Sequence, residues 1–218
     1  MNAYHPYSHR EEIAHSVTAA IGVASMAIGI PWMIVVAAVH GGAWRVVGAV
    51  AFGFGALLMF GTSTLYHLVK RPGLKAILRK LDHSAIYILI AGTYTPFTLG
   101  VVRGSLGWTL FGIVWALAVF GVATKMAGGL KIPLLSTVLY VVIGWIGVVA
   151  FKQLSANLTS AQFAWVVAGG LCYTGGVPFY LWKRRPYTHA LWHLFVLGGV
   201  ACHFVAIMSV ISARTEGM

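Results

Sequence analysis

Five polar side chains in this sequence lie within or beside long apolar segments. Ser63 and His67 are four residues apart, which places them on one face of a helix, about 6 Å apart along its axis. His189 and His193 repeat that spacing, and Asp82 is the one acid in the middle of the chain. An ionisable group inside a membrane span costs several kcal/mol unless it is paired, so these residues are functional candidates.

The three histidines have the ligand chemistry of a catalytic zinc site. Neutral imidazole nitrogens bind zinc at about 2.0 to 2.1 Å, and a catalytic site leaves the fourth tetrahedral position to water. His67, His189 and His193 would supply three nitrogens to one zinc ion per chain. Because three histidines bind other metals as well, ligand type favours zinc without proving it.

Asp82 and Ser63 each have more than one interpretation. Asp82 could be the fourth ligand of a closed site, but its more useful place is beside the metal, where it holds a bound water or orients a histidine. It could also be a cap or first-turn acid that opens the third span. Ser63 could hydrogen-bond the same water or a substrate oxygen, or bond back to its own helix. The metal prediction therefore rests on all five residues lying at one depth.

The remaining histidines are weaker candidates. His203 is ten residues past His193, about 15 Å along a helix and on another face, so we predict a hydrogen-bonded interior histidine. His83 adjoins Asp82 and points elsewhere if Asp82 faces the site. His15, with the neighbouring Glu12, stays open at the inner end of the first span.

The composition indicates a membrane protein. Of the 218 residues, 59% are hydrophobic and 9% are charged, whereas soluble domains carry roughly a quarter charged residues. This excludes a soluble enzyme. About 20 apolar residues are needed for each spanning helix, so the chain holds roughly seven spans and forms a single domain over residues 1–218.

The apolar runs between charged residues predict an all-α bundle of seven membrane spans. Continuous apolarity favours helices over a β-barrel, in which polar and apolar residues would alternate. The first run is too long for a signal-peptide core and is interpreted as an uncleaved span. Short connectors make neighbouring helices antiparallel. The predicted spans are 13–39, 46–69, 81–102, 106–124, 132–151, 161–182 and 189–213.

The net charge of +11 would suit a nucleic-acid-binding protein, but the basic residues lie between the apolar runs and nucleic acid is not a predicted partner. Basic residues concentrate in cytoplasmic loops, so their distribution predicts a cytoplasmic N-terminus, an external C-terminus and a site at the inner leaflet. Eleven lie on the predicted inner side: Arg10, Lys70, Arg71, Lys75, Arg79, Lys80, Lys125, Lys131, Lys183, Arg184 and Arg185. Four lie on the other: Arg45, Arg103, Lys152 and Arg214.

Four stretches resemble the bacterial hemolysin III proteins: Ser-Thr-Leu-Tyr-His at 63–67, Leu-Asp-His-Ser-Ala-Ile-Tyr at 81–87, Ala-Gly-Thr-Tyr-Thr-Pro-Phe at 91–97 and His-Ala-Leu-Trp-His at 189–193. The likeness covers essentially the whole chain. That family belongs with the progestin and adiponectin receptors (PAQR) and is related to the alkaline ceramidases. The resemblance implies a seven-helix membrane fold, zinc at the three histidines, and Ser63 and Asp82 beside the bound water.

Three functions remain open for a multi-pass protein of the cell inner (plasma) membrane. The first is a zinc-dependent hydrolase of lipid amides or esters, in which Asp82 acts as acid and base. The second is a sensor or regulator of membrane state with structural zinc. The third is a cytolytic pore-former, which would need a polar, water-lined path or an amphipathic inserting surface, and the sequence shows neither. The expected partners are membrane lipids, including a lipid substrate or a fatty-acid product.

Overall fold

A computed structural model describes residues 7–40, 42–128, 133–182 and 184–213. Within these ranges every regular element is helical, and seven helical segments are long and apolar enough to cross a membrane. The predicted all-α fold with seven spans is confirmed. The helices are α1 (His9–Val39), α2 (Ala43–Leu68), α3 (Pro72–Phe97), α4 (Gly104–Met126), α5 (Pro133–Trp145), α6 (Phe151–Asn157), α7 (Ser160–Leu181) and α8 (Thr188–Ser212).

The fifth span is interrupted. A 3₁₀ segment, Ile146–Ala150, joins α5 to α6, and the change of helix type leaves backbone groups without their usual helical partners. The Tyr94 hydroxyl from α3 donates to the carbonyl of Gly144 at 2.7 Å and accepts from the amide of Gly147 at 2.8 Å. This pairing stabilises the interruption, because unpaired backbone groups are costly inside a membrane. The third span ends in a π-helical segment, Thr98–Val102.

Helix α3 begins earlier than the sequence analysis predicted. It starts at Pro72, because proline is well suited to the first helical turn. It therefore includes Lys75, Arg79 and Lys80, which precede the predicted span 81–102. Asp82 therefore lies ten residues into the helix and is only 8% exposed. The interpretation of Asp82 as a cap or first-turn acid is wrong. Predicted positions at Lys131, Ile132, Lys183 and Arg214 lie outside the described residues.

Helices α2 and α3 pack with their backbones close together. A Cβ atom added at Gly55 would lie 2.9 Å from the carbonyl oxygen of Ile88, and one added at Gly92 would collide with the carbonyl oxygen of Ala51. Small residues permit this approach between membrane helices. Helix α1 packs against α2 and α8, and α1, α2, α3 and α8 all contribute side chains to one apolar core.

Candidate metal centre

The three predicted metal ligands come together where α2 ends and α8 begins. His67 lies in the last turn of α2, and His189 and His193 lie in the first two turns of α8. One ring nitrogen from each residue lies within 4.8 Å of the corresponding nitrogens of the other two. The arrangement is compact enough for the three rings to share one ion.

The hydrogen bonding of these rings fits a metal ion. The Nε2 atoms of His67 and His189 are buried and have no hydrogen-bond partner, and the Nε2 atom of His193 is 3.5 Å from the Ser63 hydroxyl. Buried polar atoms in proteins are nearly always paired, so converging unpaired nitrogens need an explanation. Three neutral imidazole nitrogens are a donor set that suits zinc.

The other nitrogens of two of the rings are held by hydrogen bonds. The Nδ1–H of His67 donates to Glu12 Oε2 at 2.6 Å, and Glu12 Oε1 accepts from the Lys75 ammonium at 2.8 Å. The Nδ1 atom of His193 lies 3.1 Å from the carbonyl oxygen of His15 and 3.0 Å from the Thr18 hydroxyl. Such contacts fix the proton on Nδ1 and leave the Nε2 lone pair free for a metal.

The start of α1 positions these partners. Ser8 caps the helix, its hydroxyl accepting from the amide of Glu11 while the Glu11 carboxylate accepts from the Ser8 amide. Glu12 and His15 consequently lie in the first two turns. Glu11 also accepts from the amide of Tyr187 at 3.2 Å, which ties the beginning of α8 to the beginning of α1.

Asp82 and Ser63 lie at the same level, on α3 and α2. The Asp82 carboxyl interacts with the Ser63 hydroxyl, and both residues are buried. Among the described residues, Asp82 does not belong to the group of converging ligand atoms. The role of Asp82 beside the histidines therefore remains a prediction.

A long cavity leads away from the histidines. It has a volume of about 370 Å³ and is lined at one end by Asp82, His189 and His193, and elsewhere chiefly by apolar side chains. Helix α3 lines it from Asp82 to Phe97, which corresponds to roughly 22 Å at 1.5 Å per residue. Ligand pockets typically combine such an apolar body with a few polar groups.

Sequence reasoning left the contribution of α1 undecided. Glu12 holds His67, and the ring of His15, which is fully buried, lies within 4.7 to 5.8 Å of the other three rings, centroid to centroid. The spacing of three between Glu12 and His15 places them on one helical face and is the signal that could have found them. By contrast, His203 bonds through Nδ1 to the carbonyl of Gly199 at 3.0 Å.

Residues 7–204 match the family model described as "Haemolysin-III related". The chain belongs to the haemolysin-III related family. It is similar to the "Hemolysin-3 homolog" of Bacillus subtilis (strain 168), with 45% identity over 93% of this chain and 95% of the relative. It is also similar to "Hemolysin-3" of Bacillus cereus, with 43% identity over 91% of each chain.

A more distant relative of this haemolysin-III related chain is the human "Monocyte to macrophage differentiation factor", with 27% identity over 75% of this chain and 70% of that protein. The likeness links the chain distantly to the progestin and adiponectin receptor superfamily. No solved structure matches the chain. Seven apolar helices and the bacterial relatives indicate a multi-pass protein of the plasma membrane.

Proposed function

We propose that the protein binds one zinc ion through His67, His189 and His193 and hydrolyses an amide or ester bond of a membrane lipid. The observation that carries this proposal is the convergence of three ring nitrogens at the polar end of an apolar cavity. An acyl chain in the cavity would present its linkage to the histidines and Asp82. The apolar lining would bind the chain and exclude bulk water.

The chemistry divides between the metal and two side chains. Zinc, when bound, supplies a Lewis acid and lowers the pKa of a water molecule. Asp82 accepts a proton from the attacking water as its oxygen bonds to the acyl carbon. Asp82 then gives that proton to the leaving nitrogen or oxygen as its bond to the acyl carbon breaks. Ser63, whose hydroxyl interacts with Asp82, orients the carboxyl for both transfers.

The proposal includes a cytoplasmic N-terminus and a site at the inner leaflet. Its support is the division of basic residues, eleven on one side against four on the other. A reporter that works only outside the cytoplasm should be active when it is fused to the C-terminus. Activity of a cytoplasm-specific reporter at that position would overturn the assignment.

A second candidate function is a sensor of membrane state in which zinc is structural. The observation that favours it is His15, a fourth buried imidazole beside the other three. A closed coordination sphere would hold the helices together without turnover. Cytolysis has less support, because the chiefly apolar lining of the cavity does not provide the polar path that an ion-conducting pore needs.

The proposed hydrolysis is tested by Asp82→Asn in zinc-loaded protein, assayed against ceramides, N-acyl amines and phospholipids. Asparagine keeps the shape of the side chain but cannot accept the proton, so turnover should fall by about 10² to 10⁴-fold with zinc retained. Ser84→Ala is the matched control, since Ser84 is buried on the same helix and has no hydrogen-bond partner. Its turnover should equal that of the wild type.

Three results would count against hydrolysis by this mechanism. Wild-type protein that is fully loaded with zinc and turns over none of these lipids would exclude the substrate class. Unchanged turnover in Asp82→Asn would remove Asp82 from the chemistry. Loss of zinc in Asp82→Asn would make Asp82 a direct ligand and favour the sensor.

A further inference from the structure

We propose that His15 is a fourth nitrogen ligand of the metal and closes its coordination sphere when no lipid occupies the site. The inference rests on the proposed function only in assuming a metal ion at His67, His189 and His193. It adds a reversible step at that site, in which His15 and a lipid oxygen compete for the same coordination position.

The first observation is the environment of the His15 ring. The residue has no exposed surface, and neither its Nδ1 atom nor its Nε2 atom has a hydrogen-bond partner. A buried imidazole with both nitrogens unpaired is costly. His203, which is also buried, avoids that cost by bonding to its own helix. A metal ion would satisfy one nitrogen of His15.

The second observation is the arrangement of the four rings. Around a tetrahedral zinc, imidazole centroids lie about 3 Å from the metal and therefore about 5 Å from one another. The His15 centroid lies 4.7 Å from that of His67, 4.8 Å from that of His189 and 5.8 Å from that of His193. The separations among the other three are 5.2, 5.4 and 4.7 Å. The four centroids thus form a nearly regular tetrahedron.

The orientation of the His15 ring provides the reversible element. One ring nitrogen of His15 lies within 4.8 Å of ligand atoms of Glu12 and His67. Among the described residues, no group of ligand atoms at this spacing contains His15 together with all three of the other histidines. Rotation of the ring about its Cβ–Cγ bond exchanges nitrogen and carbon positions, and this torsion is soft in histidine. One orientation leaves the fourth metal position open to water or lipid, and the other directs a nitrogen of His15 to the metal.

The backbone of α1 is already fixed at this level. The His15 carbonyl lies 3.1 Å from His193 Nδ1, and Glu12 accepts from His67 and from Lys75. Because these contacts hold the helix against α2 and α8, His15 can rotate without displacement of the other ligands. The switch is therefore confined to one side chain.

The test counts imidazole ligands by zinc X-ray absorption spectroscopy on lipid-free protein in detergent. Wild type should show four imidazoles, and His15→Ala should show three with an oxygen ligand in place of the fourth. Both proteins should bind one zinc ion. His203→Ala is the matched control, a buried histidine removed outside the cluster, and it should keep four. In cobalt-loaded protein, azide should shift the visible absorption of His15→Ala and leave that of the wild type unchanged.

Each alternative outcome has a defined meaning. Three imidazoles in zinc-loaded wild type, unchanged in His15→Ala, would overturn the role of His15 and leave the three-histidine site intact. Two zinc ions in wild type and one in His15→Ala would overturn it in favour of a separate position formed with Glu12. Wild type without zinc would overturn the proposed function as well. Because the number of imidazole ligands in the wild-type protein decides between these outcomes, the test does not depend on the folding of the variant.

Discussion

His193 and His203 lie on the same helix, ten residues apart, and are almost equally buried, at 7% and 6% exposure. His203 bonds through Nδ1 to Gly199 and stacks on the Tyr173 ring, with centroids 5.6 Å apart. The Nε2 atom of His193 instead faces the site, where further ring nitrogens converge. Burial alone therefore does not distinguish the two histidines, whereas the convergence of ring nitrogens around His193 does.

The largest expected effect comes from removing the proposed zinc ligands themselves. His67→Ala, His189→Ala and His193→Ala should each lose most of their bound zinc, measured by elemental analysis of the purified protein. The unfolding temperature should fall as well, because a metal that binds only the folded state adds stability. His203→Ala should keep its zinc. Wild-type zinc content in all three cluster variants would abolish the distinction between the two regions.

A smaller effect is expected at the residue that holds His67. Glu12→Gln weakens the hydrogen bond that orients the ring, and loss of such partners typically costs about 10 to 100-fold in metal affinity. Glu11→Gln is the matched control, since Glu11 caps α1 and bonds to Tyr187 without contacting His67. Equal zinc affinities in the two variants would show that Glu12 does not support the site.

The third prediction concerns the packing around His203. A substitution there should change the stability of the protein and leave its zinc content unchanged. A Cβ atom added at Gly169 would collide with the His203 ring, whereas one added at Gly170 would lie 3.5 Å from Trp145 in ordinary contact. Overpacking typically costs 1 to 3 kcal/mol, so Gly169→Ala should lower the free energy of unfolding by about that amount. Gly170→Ala should be nearly neutral. Zinc content should stay at the wild-type value in both, and its loss in Gly169→Ala would connect the two regions.

Much of the fold could be predicted from the sequence because long apolar runs have few alternatives in a membrane. Two features of the fold differ from the prediction: the start of α3 and the interruption of the fifth span. The early start of α3 at Pro72 was hidden by the charged residues of its first turns, which a helix tolerates. The interruption at Ile146–Ala150 occurs in a uniformly apolar run and depends on the Tyr94 hydroxyl from another helix.

Only the part of the site that depends on spacing within single helices could be predicted from the sequence. His67, His189 and His193 carry a spacing signal within their own helices, and antiparallel order brings the two helix ends together. The rotation of α1 about its axis is fixed by packing against α2 and α8, and the sequence does not encode it in any short pattern. The positions of Glu12 and His15 beside the cluster therefore follow from their contacts with His67 and His193 in the folded structure.

The central claim is that the three histidines hold a metal ion, and it is tested most directly by locating that ion. Anomalous diffraction data should be collected above and below the zinc absorption edge from crystals of the purified wild-type protein. The account predicts one zinc peak per chain, within bonding distance of the Nε2 atoms of His67, His189 and His193. Crystals of fully zinc-loaded protein with the peak elsewhere, or with no peak among these residues, would contradict it.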